Sequence, residues 1–226
     1  MNFNFLLVYS IAFLVAVAFS AYSWNRLRPV SYIIMGWFVV AFGFSRFSYF
    51  QSPTDWQEGD LIGLLAFSSL MTIPVICLIV AWQKSPRFKT FLRNIPTWLL
   101  VSSQVYRIGG ALYLVGAIAG ELPMATGLVN GVLDIVVSTS AILLGWLVFK
   151  NIAKVKNWIL AWSALGLLDI MGGLIIVTFS FFGLVDFTPA PTLMGMAPIT
   201  MVCIFQVPLA IFIQTYLIHR GLYEKF

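Results

Sequence analysis

Long apolar stretches separated by short polar punctuation run the length of the chain. Runs near 4–24, 30–50, 61–82, 95–119, 123–149, 157–183 and 197–218 approach or exceed the ~20 residues that carry a helix across a ~30 Å hydrocarbon core. The pattern predicts an all-α fold: a polytopic membrane bundle of seven transmembrane helices forming one domain over residues 1–226. The opening MNFNFLLVYSIAFLVAVAFS lacks the basic lead of a signal peptide, and its arginines follow the apolar run, so a retained first helix is expected.

The polar punctuation alternates in sign. Arg26 and Arg28 follow the first run, Lys84, Arg87, Lys89 and Arg93 the third, Lys150, Lys154 and Lys156 the fifth, and Arg220 and Lys225 lie in the tail. The intervening loops hold Asp55, Glu58, Asp60, Glu121 and Asp186, with no lysine or arginine. The positive-inside rule then places the N-terminus outside and the C-terminus in the cytoplasm, which requires an odd number of helices. Trp24, Trp82, Trp98, Trp146 and Trp158 fall near the basic ends and Trp56 in an acidic loop, as interfacial anchors do. The basic loop QKSPRFKTFLRN can be read as a lipid-headgroup or partner patch, or as ordinary topology determination.

Composition narrows the function classes. Hydrophobic residues make up 61% of the chain and charged residues 9%, against about 25% charged in a soluble domain. The short connections leave no room for a soluble catalytic or nucleotide-binding domain. The net charge of +5 belongs to the basic loops of one side, so it is a topology signal and no nucleic-acid partner is expected. Cys77 and Cys203 lie in apolar runs, where cysteine serves as a small hydrophobe. One histidine and no Cys-x-x-Cys motif give a metal or haem few ligands, and no metal site is expected. Covalently bound retinal is excluded, because every lysine lies outside the apolar runs. Other cofactors stay unknown.

Four charges interrupt the apolar runs: Arg46, Arg107, Asp134 and Asp169. Arg46 stands near the acidic loop SPTDWQEGD and can snorkel toward Asp55 or Asp60. The other three each lie about eleven or twelve residues into consecutive runs, which at ~1.5 Å per residue brings all three near the bilayer midplane. A lone charge there costs roughly 2.5–3.5 kcal/mol on insertion scales. A guanidinium can grip carboxylates on more than one edge, so Arg107 is expected to pair with both aspartates. Gln104, Asn130 and Gln206 lie at similar depth and join them as candidate ligand-binding or proton-carrying residues. Gly110, Gly127, Gly131, Gly166, Gly172 and Gly173 surround the charges and suit close helix packing or open space. Two carboxylates and one guanidinium leave one surplus negative charge, which low dielectric requires a proton, a cation or a cationic ligand group to neutralise.

The stretch from IPTWLLVSSQVYRIGGALYLVGAIAGELPMATGLVNGVLDIV to WILAWSALGLLDIMGG resembles a widespread group of uncharacterised bacterial multi-pass membrane proteins. That group's pattern is an arginine–x–x–glycine helix, a Gly-x-Leu-Pro turn and two helices each bearing an aspartate. The matching positions are Arg107, Gly110, Gly120, Leu122, Pro123, Asp134 and Asp169, with QVPLAIF as a last-helix match. The resemblance covers the C-terminal two-thirds and departs at Leu133, where a glycine often stands. It implies a bacterial inner-membrane location and carries no activity.

The leading functional reading is a bundle that binds or carries a small molecule or ion, with proton coupling. Its expected partners are the bilayer, that ligand, and a membrane protein or second copy. The main alternative is a non-transporting scaffold or assembly subunit whose charges clamp helices. A third is an intramembrane aspartyl hydrolase, for which GVLD and GLLD supply paired carboxyl groups but not the Gly-x-Gly-Asp motif. No residue is assigned a catalytic role.

Overall fold

The computed structural model describes residues 2–46, 61–152 and 155–223. The acidic loop holding Asp55, Trp56, Glu58 and Asp60, together with Lys154 and Lys225, lies outside them. Every regular element among the described residues is helical. Among the described residues, six helices are long and apolar enough to cross a membrane. They are α1 (Asn2–Trp24), α2 (Arg28–Arg46), α3 (Leu61–Lys84), α7 (Met124–Phe149), α8 (Val155–Phe181) and α9 (Ile199–Tyr223), separated by the shorter α4 (Pro86–Arg93), α5 (Thr97–Ser103) and α6 (Ala111–Ile118).

The stretch expected as one helix over 95–119 is built differently. A 3₁₀ turn, Gln104–Gly110, separates α5 from α6. Paired glycines, Gly109 and Gly110, favour α-helix poorly, and two β-branched residues, Val105 and Ile108, flank the arginine. The tighter turn rises faster, so the three pieces end to end reach about 36 Å, beyond the ~30 Å hydrocarbon core.

α1 and α2 form a hairpin closed by Leu27 N–H donating to the Ser23 carbonyl (2.7 Å). Ala12, Ala16 and Ala41 are fully buried and let the helices approach. Neutral hydrogen bonds hold the two ends: Ser23 to Ser31 through their hydroxyls (2.6 Å), and Tyr9 to Ser45 (2.7 Å). The basic loop of the sequence reading is an amphipathic helix, α4. Ser85 caps it by accepting from Phe88 N–H (3.2 Å), Pro86 opens it, and Phe88, Phe91 and Leu92 are buried. Arg220 closes its far end by donating to the Ile95 carbonyl (2.7 Å) and the Arg93 carbonyl (3.4 Å).

α9 is the hub. It packs against α8, α3 and α5, and 72% of its membrane-length window is buried, against 17% for α2 and for α3. α7 lies between the broken segment and α8. α9 contains a π-turn, Val202–Gln206, just before Pro208, whose ring would clash with the carbonyl four residues earlier. That carbonyl, Ile204, accepts from Trp37 Nε1–H of α2 (2.9 Å), and the Gln206 carbonyl accepts from the Tyr106 hydroxyl (3.2 Å). The wider turn therefore keeps its backbone hydrogen-bonded inside an apolar bundle, where water cannot help.

Candidate functional site

The 3₁₀ turn carries Arg107 to the junction of α7 and α8, where the residue is 4% exposed. Its Nε–H donates to Asp134 Oδ1 of α7 (2.6 Å), its Nη2–H to Asp169 Oδ2 of α8, and its Nη1–H to the Gly166 carbonyl (3.2 Å). One planar fork thus ties three segments together, and the pairing expected from sequence is the arrangement found. Asp134 is 8% exposed and Asp169 1%. With all three groups ionised, the cluster retains one negative charge.

Missing side chains make room for these charges. A Cβ on Gly110 would overlap the Asp134 carboxylate, and one on Gly166 would stand 2.8 Å from Arg107 Nη1 and 2.7 Å from Gln214 Nε2. Gly173 leaves space for the Asn130 amide, whose Nδ2–H donates to the Asp169 backbone carbonyl (3.2 Å). Gly172 faces Val129. Gly127 and Gly131 meet α6 instead: a Cβ on Gly131 would lie 2.5 Å from Leu114 N, so this pair sets the approach of α7 to α6.

The cluster borders a cavity of about 400 Å³ between α3, α7, α8 and α9. Arg107, Asn130, Asp134, Asp169 and Gln206 supply polar wall, and Phe67, Met71 and Val177 are among the apolar residues facing them. Three of the polar residues come from turns that are not α-helical. Arg107 lies on the 3₁₀ turn, Asn130 on a π-turn in α7 (Gly127–Val132) and Gln206 on the π-turn of α9. π-turns shift the helix register by one residue and recur at functional sites. Gln206 is 2% exposed, yet neither its Oε1 nor its Nε2 has a hydrogen-bond partner, and Asn130 Oδ1 has none either. Buried amide groups left unpaired cost free energy and ask for an explanation.

Of the residues singled out in the sequence, Gln104 alone among the polar candidates is absent from the cavity wall. It is fully buried behind the cluster and accepts from Gln214 Nε2–H of α9 (3.5 Å). Gln214 went unnoticed in the sequence reading, although a glutamine eight residues after Gln206 in an apolar run is a visible signal. Tyr106, which braces the α9 turn, and Cys203, whose Sγ lies 3.3 Å from the Tyr113 hydroxyl on the cavity wall, were also missed as site residues. No group of three His, Cys, Asp or Glu side chains among the described residues can hold a metal ion.

These features define the class: a polytopic α-helical integral membrane protein with a buried arginine–diaspartate cluster beside an internal cavity. The chain belongs to the family described as a domain of unknown function, DUF8737, which matches residues 64–221 and so runs from α3 into the end of α9. Nothing among curated proteins or solved structures matches it.

Proposed function

We propose that the cavity binds a small ligand bearing a cationic group, and that the protein carries this ligand across the membrane against protons. The supporting observation is that the charge cluster opens onto a cavity where two further buried polar wall groups, the Gln206 amide and Asn130 Oδ1, have no protein partner. A cluster serving only as a clamp has no use for those groups. The surplus negative charge selects for a cation, the amide oxygens accept from an ammonium, and the apolar wall receives the rest of the molecule. Protonation of either aspartate removes the charge that holds the cation, which couples release to protons.

The broken segment counts as a crossing in this reading, giving seven, with the basic ends in the cytoplasm by the positive-inside rule. Placement in a bacterial inner membrane rests on the sequence resemblance. The clamp reading keeps one observation in its favour: every nitrogen of Arg107 already donates to a protein oxygen. An aspartyl hydrolase is not proposed, since one guanidinium grips both carboxylates.

Native mass spectrometry of gently purified protein, beside an Asp134→Asn/Asp169→Asn variant, tests the proposal. Retention of a cationic small molecule by the wild type alone is the expected result. An equally bare wild type that no alkylammonium ion stabilises against heat overturns it.

A further inference from the structure

A second and larger cavity, about 800 Å³, lies on the opposite side of α3 from the charge cluster. Its walls are Ile34 and Trp37 of α2, Pro74 and Cys77 of α3, and Leu209 and Phe212 of α9, with Phe88 and Phe91 of α4 at one end. Ile33, Val40 and Ile73 line it while staying 62%, 40% and 54% exposed, so the cleft opens sideways along apolar surface. Nothing in this lining resembles the amides and carboxylates of the first cavity.

The cleft ends at a cationic rim. Ser85 and Arg87, at the start of α4, line its mouth. Arg87 is exposed and makes no ion pair among the described residues. Tyr22 also lines the cleft, contacts Phe91 (ring centroids 6.3 Å apart) and carries Arg26 over its own ring at 4.0 Å. Arg28 and Lys89 belong to the same turn and helix, and no acidic residue of the described chain falls in 18–46 or 65–103.

We infer that this cleft holds one acyl chain of an anionic phospholipid, with the lipid phosphate at the start of α4 against Arg87 and Arg26. The charge complementarity decides the occupant. A purely apolar groove would accept any chain or helix, but a long apolar slot ending in uncompensated arginines fits a molecule that joins a hydrocarbon tail to an anion. The amphipathic α4, with Phe88 and Phe91 buried and Arg87 and Lys89 beside them, sets the phosphate at the depth where headgroups lie.

Gly36 offers a specific probe. It lines the cleft, and a Cβ added there meets no atom within 4 Å, so Gly36→Leu starts its side chain in open space and directs it into the slot. The full chain in detergent is given equal amounts of phosphatidylglycerol and phosphatidylcholine of identical chains, and retained lipid is read by native mass spectrometry. The wild type should retain phosphatidylglycerol preferentially. Arg87→Gln should cut that preference about fivefold, the effect of one basic residue near an anionic surface. Gly36→Leu should lower retention of both lipids while leaving the unfolding temperature unchanged or higher. Equal retention of the two lipids by the wild type overturns the inference, as does retention unaffected by both variants. So does a change from dimer to monomer on Gly36→Leu, which would make the cleft an interface between copies.

Discussion

The α1–α2 hairpin and the α5–α9 region solve the same problem differently. Both bury polar groups in apolar surroundings. The hairpin does it with neutral hydroxyls, Ser23 on Ser31 and Tyr9 on Ser45, between two uninterrupted α-helices. The other region buries three formal charges and bends its backbone out of α geometry at three places, each delivering a polar side chain to one cavity. Irregular backbone inside a membrane is tolerated where protein or a cavity surrounds it. Its concentration around one cavity, and its absence from α1 and α2, supports the proposal that this region is a site and the hairpin a packing device.

Single substitutions should expose that difference as a graded series of stabilities in detergent unfolding. Arg107→Met leaves two carboxylates with no counter-charge, and a loss of about 3–5 kcal/mol is expected. Trp37→Phe, at the seam between the regions, strands the Ile204 carbonyl and should cost about 1–3 kcal/mol. Ser31→Ala removes a neutral hydroxyl pair within the hairpin, leaves the Ser23 hydroxyl its bond to the Ser20 carbonyl (3.2 Å), and should cost about 1 kcal/mol or less. A loss on Ser31→Ala matching that on Arg107→Met would erase the distinction between the two regions.

Much of this was legible before the fold was known, because membrane burial makes charge conspicuous. Arg107, Asp134 and Asp169 stand out in runs of apolar residues, and their shared depth implied the pairing. The apolar runs likewise marked the helices, since length and hydropathy act locally. The breaks in those helices were not legible. Gly109–Gly110 and Pro208 signal weakness, but whether the chain answers with a 3₁₀ turn, a π-turn or a kink depends on neighbours such as Trp37 and Tyr106, distant in sequence. For the same reason Gln104 was expected beside the charges. It does stand one turn below Arg107, but its partner is Gln214, distant in sequence, which holds it away from the cavity wall. The basic stretch 83–94 was read by its charge alone, although Phe88, Phe91 and Leu92 recur at the spacing of a helix face.

The central claim is that the charge cluster is kept for the cavity and is dispensable for holding the helices. The direct test is the triple variant Arg107→Met/Asp134→Val/Asp169→Val, assayed for unfolding and for heat stabilisation by alkylammonium ions. Apolar replacement of a whole buried ion cluster is often neutral, so stability within about 1 kcal/mol of wild type is predicted, with stabilisation by the cations abolished. A triple variant as unstable as Arg107→Met alone, or one that still responds to the cations as wild type does, would contradict the account.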